Sequence, residues 1–193
     1  MHTVYLILLV ISALLSPLAH TSEVFDYADI AYSHQNTDYD GFNDSKTSTF
    51  KASASVFQWL HARARYNAGD VEMPGLKGDV QQESWAVLGV GVHSLLSDQT
   101  AIFLGLEQNQ LKLQNGITET GLYYHLGFKH QFNISWQISF EVGESEASFR
   151  DTTLAFEAIY KVARQFGLSA TLRDYDDLDL TEYELGLRWF FRD

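Results

Sequence analysis

Asp179-Leu-Thr-Glu-Tyr-Glu-Leu-Gly-Leu-Arg-Trp-Phe-Phe191 is the stretch whose reading decides the fold. With period two, Tyr183, Leu185, Leu187, Trp189 and Phe191 share one face, and Glu182, Glu184, Gly186, Arg188 and Phe190 share the other. Successive side chains of a strand point to opposite faces, so this is a strand with one apolar side and one charged or small side. Aromatic residues close the apolar side at the chain end, and the charges sit mid-strand. Such a strand suits a barrel whose apolar face meets lipid and whose polar face lines the lumen.

The same alternation recurs upstream. Ala28, Ile30 and Tyr32 oppose Asp29, Ala31 and Ser33; Phe50, Ala52, Ala54 and Val56 oppose Lys51, Ser53 and Ser55. Leu60, Ala62, Ala64 and Tyr66 oppose His61, Arg63 and Arg65, a second face that a soluble sandwich could hardly bury. Further apolar rows begin at Ala86, Ile102, Leu122, Trp136, Leu154 and Leu168. Polar loops are expected over residues 35–46, 67–80, around Asn115-Gly116, over 144–151 and over 174–179, with brief turns at 57–59, 94–100, 131–133 and 163–166. The count is about ten strands, with eight as the alternative, so the expected class is an all-β, antiparallel up-and-down transmembrane β-barrel. Brief connections follow the second, fourth, sixth and eighth strands. That rhythm puts both termini on one side, as an even strand number requires.

Bulk composition agrees. The chain has 193 residues, which favours one domain, and a net charge of -12, which argues against nucleic acid because phosphate backbones demand a basic footprint. It has no cysteine, so neither disulfides nor thiolate metal sites form, and no metal or cofactor is expected. The long apolar run spans Val4 to Leu15 and is followed by Ser16-Pro17-Leu18-Ala19. Its length is that of a signal-peptide core, so residues 1–22 are read as an export signal, cleaved between Ala19 and Glu23, and 23–193 as the barrel domain. No other segment could span a bilayer as a helix, which leaves a closed barrel as the membrane-embedded solution.

A soluble barrel of the lipocalin type shows the same alternation with the faces reversed and would bind an apolar ligand. Two features favour the membrane reading. Aromatics cluster near strand ends on the apolar face, at Tyr32, Tyr66, Trp136, Tyr160, Trp189 and Phe191, where an interfacial girdle would sit. The opposing face mixes glycine with charges of both signs, which suits a crowded interior. Phe25-Asp-Tyr-Ala-Asp-Ile-Ala-Tyr32, Trp85-Ala-Val-Leu-Gly-Val-Gly-Val-His93 and Tyr183-Glu-Leu-Gly-Leu-Arg-Trp-Phe190 resemble the repeats of small outer-membrane β-barrel proteins of Gram-negative bacteria. The likeness extends over nearly the whole mature chain, through motifs generic to the architecture. It implies an outer-membrane location, contact with lipid and lipopolysaccharide, and recognition of the C-terminal strand by the barrel-assembly machinery. One departure is that Arg192-Asp193 follow Phe191, where family members end on the aromatic.

Asp29, Lys51, Arg63, Arg65, Glu107, Glu141, Glu157, Lys161, Arg173, Glu184 and Arg188 are expected to form a lumen ion-pair network, with His61, His93 and His125 on the same face. A charge in a narrow, poorly hydrated lumen must be paired, so the leading expectation is a non-enzymatic barrel plugged by ion pairs, with a structural or surface-interaction role. The alternative is a narrow ion or small-solute pore. Catalysis lacks a recognisable nucleophile motif; His34 with Asp38 and Asp40 is the one Asp/His constellation at a rim. The acidic loops, with Asp38, Asp40 and Asp44 early and Asp174, Asp176, Asp177 and Asp179 late, could hold divalent cations but lack an EF-hand pattern. No extracellular partner is identified.

Overall fold

The computed structural model describes residues 25–37, 45–72, 81–113, 116, 118–146, 150–177 and 179–191. Ten strands account for nearly all of them: β1 (Tyr27–Thr37), β2 (Ser45–Phe57), β3 (Leu60–Glu72), β4 (Gln81–Ser97), β5 (Thr100–Leu113), β6 (Thr118–Gln131), β7 (Trp136–Glu146), β8 (Arg150–Ala163), β9 (Phe166–Tyr175) and β10 (Leu180–Phe190). Each pairs antiparallel with its sequence neighbours, and β1 closes the ring on β10 from Tyr27↔Phe190 to Thr37↔Leu180. Closure leaves no unpaired edge, which is what a sheet in lipid requires.

The pairing register sets the geometry. One circuit from Thr37 passes through Leu180, Tyr175, Thr153, Gly143, His125, Gly105, Gly91 and His61 to Ser55. Ser55 extrapolates along the β1–β2 register (Tyr27↔Ser53) to the level of Phe25, twelve residues from the start. At ~3.3 Å per residue and ~4.8 Å between strands, that stagger tilts the strands by about 40° and gives a backbone radius of about 10 Å. Inward side chains can fill so narrow a cylinder.

Exposure separates the faces. Ile30, Leu185 and Leu187 are 69%, 71% and 66% exposed, whereas Asp29, Glu182 and Arg188 are 1%, 0% and 1% exposed. The outside is apolar and the inside polar. A soluble ligand-binding barrel would have these faces reversed, apolar within and polar outside. The aromatics Tyr32, Tyr66, Trp136, Tyr160 and Trp189 all lie on the outer face, and Phe191, half-buried, packs against Trp189 at 5.7 Å between ring centres. Trp136 and Tyr160 pair at 4.9 Å, and the outward Phe57 and Trp59 stack at 5.8 Å near the β2–β3 turn.

Strands run further than the sequence pattern indicates. Residues 67–72 continue β3 and 94–97 continue β4, so the turn expected at 94–100 shrinks to Asp98 and Gln99. Likewise β7 reaches Glu146, β8 begins at Arg150 and β9 reaches Tyr175. Polar residues continue the hydrogen-bond ladder beyond the apolar band, because pairing is a backbone property. Bulges accommodate the ends: at Ser55/Phe57 the register shifts, and Ser55 and Val56 both face inward. Gly69 sits at another irregularity with φ 145°, and a Cβ there would lie 2.7 Å from the Lys46 carbonyl oxygen.

Candidate functional site

The lumen is the candidate site, and its contents fall into three levels. At the end carrying the short turns, the Phe25 ring stacks against the imidazoles of His61 and His93, with centroids 4.4 and 4.2 Å away and the two imidazoles side by side at 5.3 Å, and meets Phe103 edge-on at 6.0 Å. The Lys129 ammonium lies 4.6 Å above Phe25 and 5.0 Å above Tyr27, a cation–π arrangement on the lumen floor. Beside them Tyr27, Ile159 and Phe190 form a second buried apolar cluster. Side chains from just before β1 and from β1, β3, β4, β5, β6, β8 and β10 thus gather inside the barrel at this end.

The middle level is ionic. Arg188 donates to Asp29 through Nε at 3.0 Å and Nη2 at 2.7 Å, and to Glu157 through Nη1 at 3.0 Å and Nη2 at 2.6 Å; its guanidinium lies 3.8 Å above the Tyr27 ring. Lys51 reaches Glu184 at 2.7 Å, Glu157 at 3.4 Å and Asp29 at 3.9 Å. On the opposite wall Arg63 pairs with Glu141 at 2.9 Å and Glu107 at 3.3 Å. Tyr123 donates to Glu141 at 3.0 Å, and the two ring nitrogens of His125 face Glu107 at 3.0 Å and Glu141 at 3.3 Å. Bidentate and charge-assisted contacts of this kind are the strong ones.

Glu182 is the hub above them. It accepts from Arg65 at 2.6 Å, Ser33 at 2.6 Å, Gln35 at 3.1 Å, Tyr175 at 3.2 Å, Asn67 at 3.3 Å and Arg173 at 3.4 Å. Arg65 also engages Glu184, which joins this hub to the Lys51 group.

Room for these side chains comes from glycines on the same face. A Cβ on Gly105 would collide with the His125 imidazole, and one on Gly143 with the Tyr123 phenol. At Gly91 it would lie 2.5 Å from His61 Cε1. The glycine-and-charge face is thus a packing device: small residues lie beside large polar ones.

All eleven residues expected in the lumen network point inward. Ten of them make the ion pairs above, and the Lys161 ammonium lies 4.6 Å above the Phe190 ring. Sequence reasoning placed Phe190 on the polar face, and the phase of the apolar rows from Ala86 and Leu122 puts Trp85 and Tyr123 there too, but it missed the inward Phe25, Tyr27, Phe103 and Tyr175. It also left Glu182 out of the network. The available signal was parity, because Phe25 and Tyr27 alternate in phase with the inward Asp29. His34 lies at the rim on the outer face of β1, and its expected companions Asp38 and Asp40, with Asp44, lie outside the described residues. In the late acidic loop, the Asp177 N–H donates to Asp151 at 3.1 Å and Thr181 donates to Asp174 at 3.1 Å. Asp179 turns the chain with φ 43°, a conformation Asp tolerates. Among the described residues, no group of three His, Asp or Glu side chains is arranged to hold a metal ion.

At the other end the lumen opens into a vestibule of about 1020 Å³, including the space continuous with solvent. Trp85 on β4 and Tyr175 on β9 meet across it at 5.9 Å, although their strands stand on opposite sides of the ring. A second space of about 480 Å³ lies below and shares Tyr27, Lys51, Arg63, Glu141 and Arg173 with the vestibule wall.

No protein-family model matches the sequence, and no curated protein matches it. Solved structures do. The NanC porin aligns with a TM-score of 0.57 at 9% identity, over 84% of this chain and 98% of that one. The KdgM porin in complex with disordered oligogalacturonate aligns at 0.51 and 10% identity, over 85% and 99%. The translocator domain of the autotransporter NalP from Neisseria meningitidis aligns at 0.52 and 11%, over 86% and 88%. The fold is that of the outer-membrane β-barrels.

Proposed function

We propose that this chain is an integral outer-membrane protein whose ten strands cross the bilayer, and that its lumen is plugged by ion pairs and does not conduct in this state. The observation that carries the reading is the lumen filling: an apolar exterior surrounds buried Arg–carboxylate groups, with an aromatic cluster beneath them. Residues 1–22 act as the export signal, the short turns face the periplasm and the longer connections face outward. Its partners are lipid, lipopolysaccharide and the assembly machinery that reads β10. The role is non-enzymatic, structural or in presentation of the outer loops. Cell fractionation followed by electrophoresis of boiled and unboiled samples tests the location and closure. Recovery in the outer membrane with faster migration when unboiled is expected; a soluble periplasmic protein without a heat shift would reject the reading.

A second reading, a narrow gated pore, draws support from the porins among the similar folds and from the space that continues below the vestibule as far as Phe25. Under that reading Phe25 is the last barrier. F25A would then give open-channel steps in planar bilayers, and a silent F25A barrel would reject it.

A further inference from the structure

The vestibule wall is unevenly supplied with donors and acceptors. The cations that line it, Lys51, Arg63, Arg65 and Arg173, are all engaged by carboxylates. Several acceptors are not matched in this way. Asn109, 3% exposed, donates through Nδ2 to Ser145 at 3.1 Å, and its Oδ1 has no hydrogen-bond partner. Glu119 Oε2, on the adjacent strand β6, has none either. Gln35, also 3% exposed, must turn its Nε2 to the Glu182 carboxylate at 3.1 Å, which leaves Oε1 as a third unpartnered acceptor. A buried acceptor needs a donor, and these acceptors line a space open to solvent where a donor-bearing molecule can reach them.

The rest of the wall narrows the chemistry. On the arc from β4 to β8, the charged side chains that line the vestibule among the described residues are Glu107, Glu119, Glu141 and Asp151, all acidic, of which Glu107 and Glu141 are engaged by Arg63. Trp85, Tyr175, Val87 and Leu111 line the same space, with the Arg65 guanidinium 5.7 Å from the Trp85 ring centre. Aromatic faces and carboxylates together favour a cation carried on an apolar stem. A bare divalent ion is a poor fit, since it seeks several oxygen ligands at once and no such group is assembled among the described residues. A neutral sugar would leave the acidic charges unanswered.

We propose that the vestibule is a binding site for a small aliphatic ammonium compound: its N–H groups donate to Asn109 Oδ1 and the Glu119 carboxylate, and its methylenes lie against Trp85 and Tyr175. The site depends on the barrel's open end and stands whether or not the lumen conducts.

Trp85 supplies the readout, because the other three tryptophans, Trp59, Trp136 and Trp189, face outward at 56%, 47% and 48% exposure. The folded full chain in a zwitterionic detergent is titrated with 1,4-diaminobutane while tryptophan emission is followed, with glucose and calcium chloride as comparison probes. A saturable change is expected that is absent in W85F and weakened at least about tenfold in E119Q, the scale of a lost charge-assisted hydrogen bond. D151N repeats the test at a second acid, and the unboiled gel shift establishes that each variant is folded. No saturable response to the diamine, an undiminished response in both folded E119Q and D151N, persistence in W85F, or an equal response to glucose or calcium would each overturn the proposal.

Discussion

Replacing Arg188 with Met tests how the lumen is held together. Arg188 is 1% exposed and donates four hydrogen bonds of 2.6–3.0 Å to Asp29 and Glu157. Methionine fills part of its volume but leaves two buried carboxylates facing each other. Lys51 remains near both, at 3.9 Å from Asp29 and 3.4 Å from Glu157, so the loss is cushioned but not cancelled. Breaking a buried pair from one side costs about 3–5 kcal/mol, because the penalty is the stranded charge rather than the worth of the contact. The assay is urea unfolding of the barrel in lipid vesicles, followed by tryptophan emission and by the unboiled gel band. The triple variant R188M/D29N/E157Q removes the stranded charges and recovers most of the loss, to within about 2 kcal/mol of the parent. An R188M barrel that loses less than about 1 kcal/mol would refute the claim that these ion pairs plug the lumen, and so would a triple variant no more stable than R188M.

Other perturbations probe separate parts of the structure. G105A forces the His125 ring aside and is expected to lower unfolding stability by about 1–3 kcal/mol, the usual cost of overpacking; unchanged stability would contradict the packing described for that wall. Leu126, 54% exposed in the middle of β6, lies on the lipid face, so L126R costs about 2–4 kcal/mol in bilayers and would be near neutral only if that face met water. Asp98 sits in the exposed β4–β5 turn, and D98N is expected to change stability by no more than about 0.5 kcal/mol in the same titration.

The architecture was legible from the strand pattern because lipid and lumen impose opposite demands on alternate residues. Leu185 and Leu187 against Glu184 and Arg188 leave little choice of face. The strand ends were not legible. Asn67, Ala68 and the residues after them carry no apolar rhythm, yet their backbones still pair with β4. The charged members of the lumen followed from parity, because a buried charge needs a partner and the lumen supplies them. The inward Phe25 and Phe103 did not follow from the same reasoning, although Phe190 did through its phase with Arg188: an aromatic in a membrane barrel is read as lipid-facing unless its phase is checked against a neighbouring charge. Nor does a strand pattern tell which residues of distant strands meet. Trp85 and Tyr175 touch only because the ring is narrow enough for opposite strands to reach across it.

Planar-bilayer recording of the purified, heat-modifiable barrel tests the central claim most directly. A lumen filled by Arg188, Arg63 and Glu182 networks over the Phe25 cluster predicts an electrically silent membrane at moderate voltage. Steady ohmic conductance from the folded, unmodified protein would contradict it.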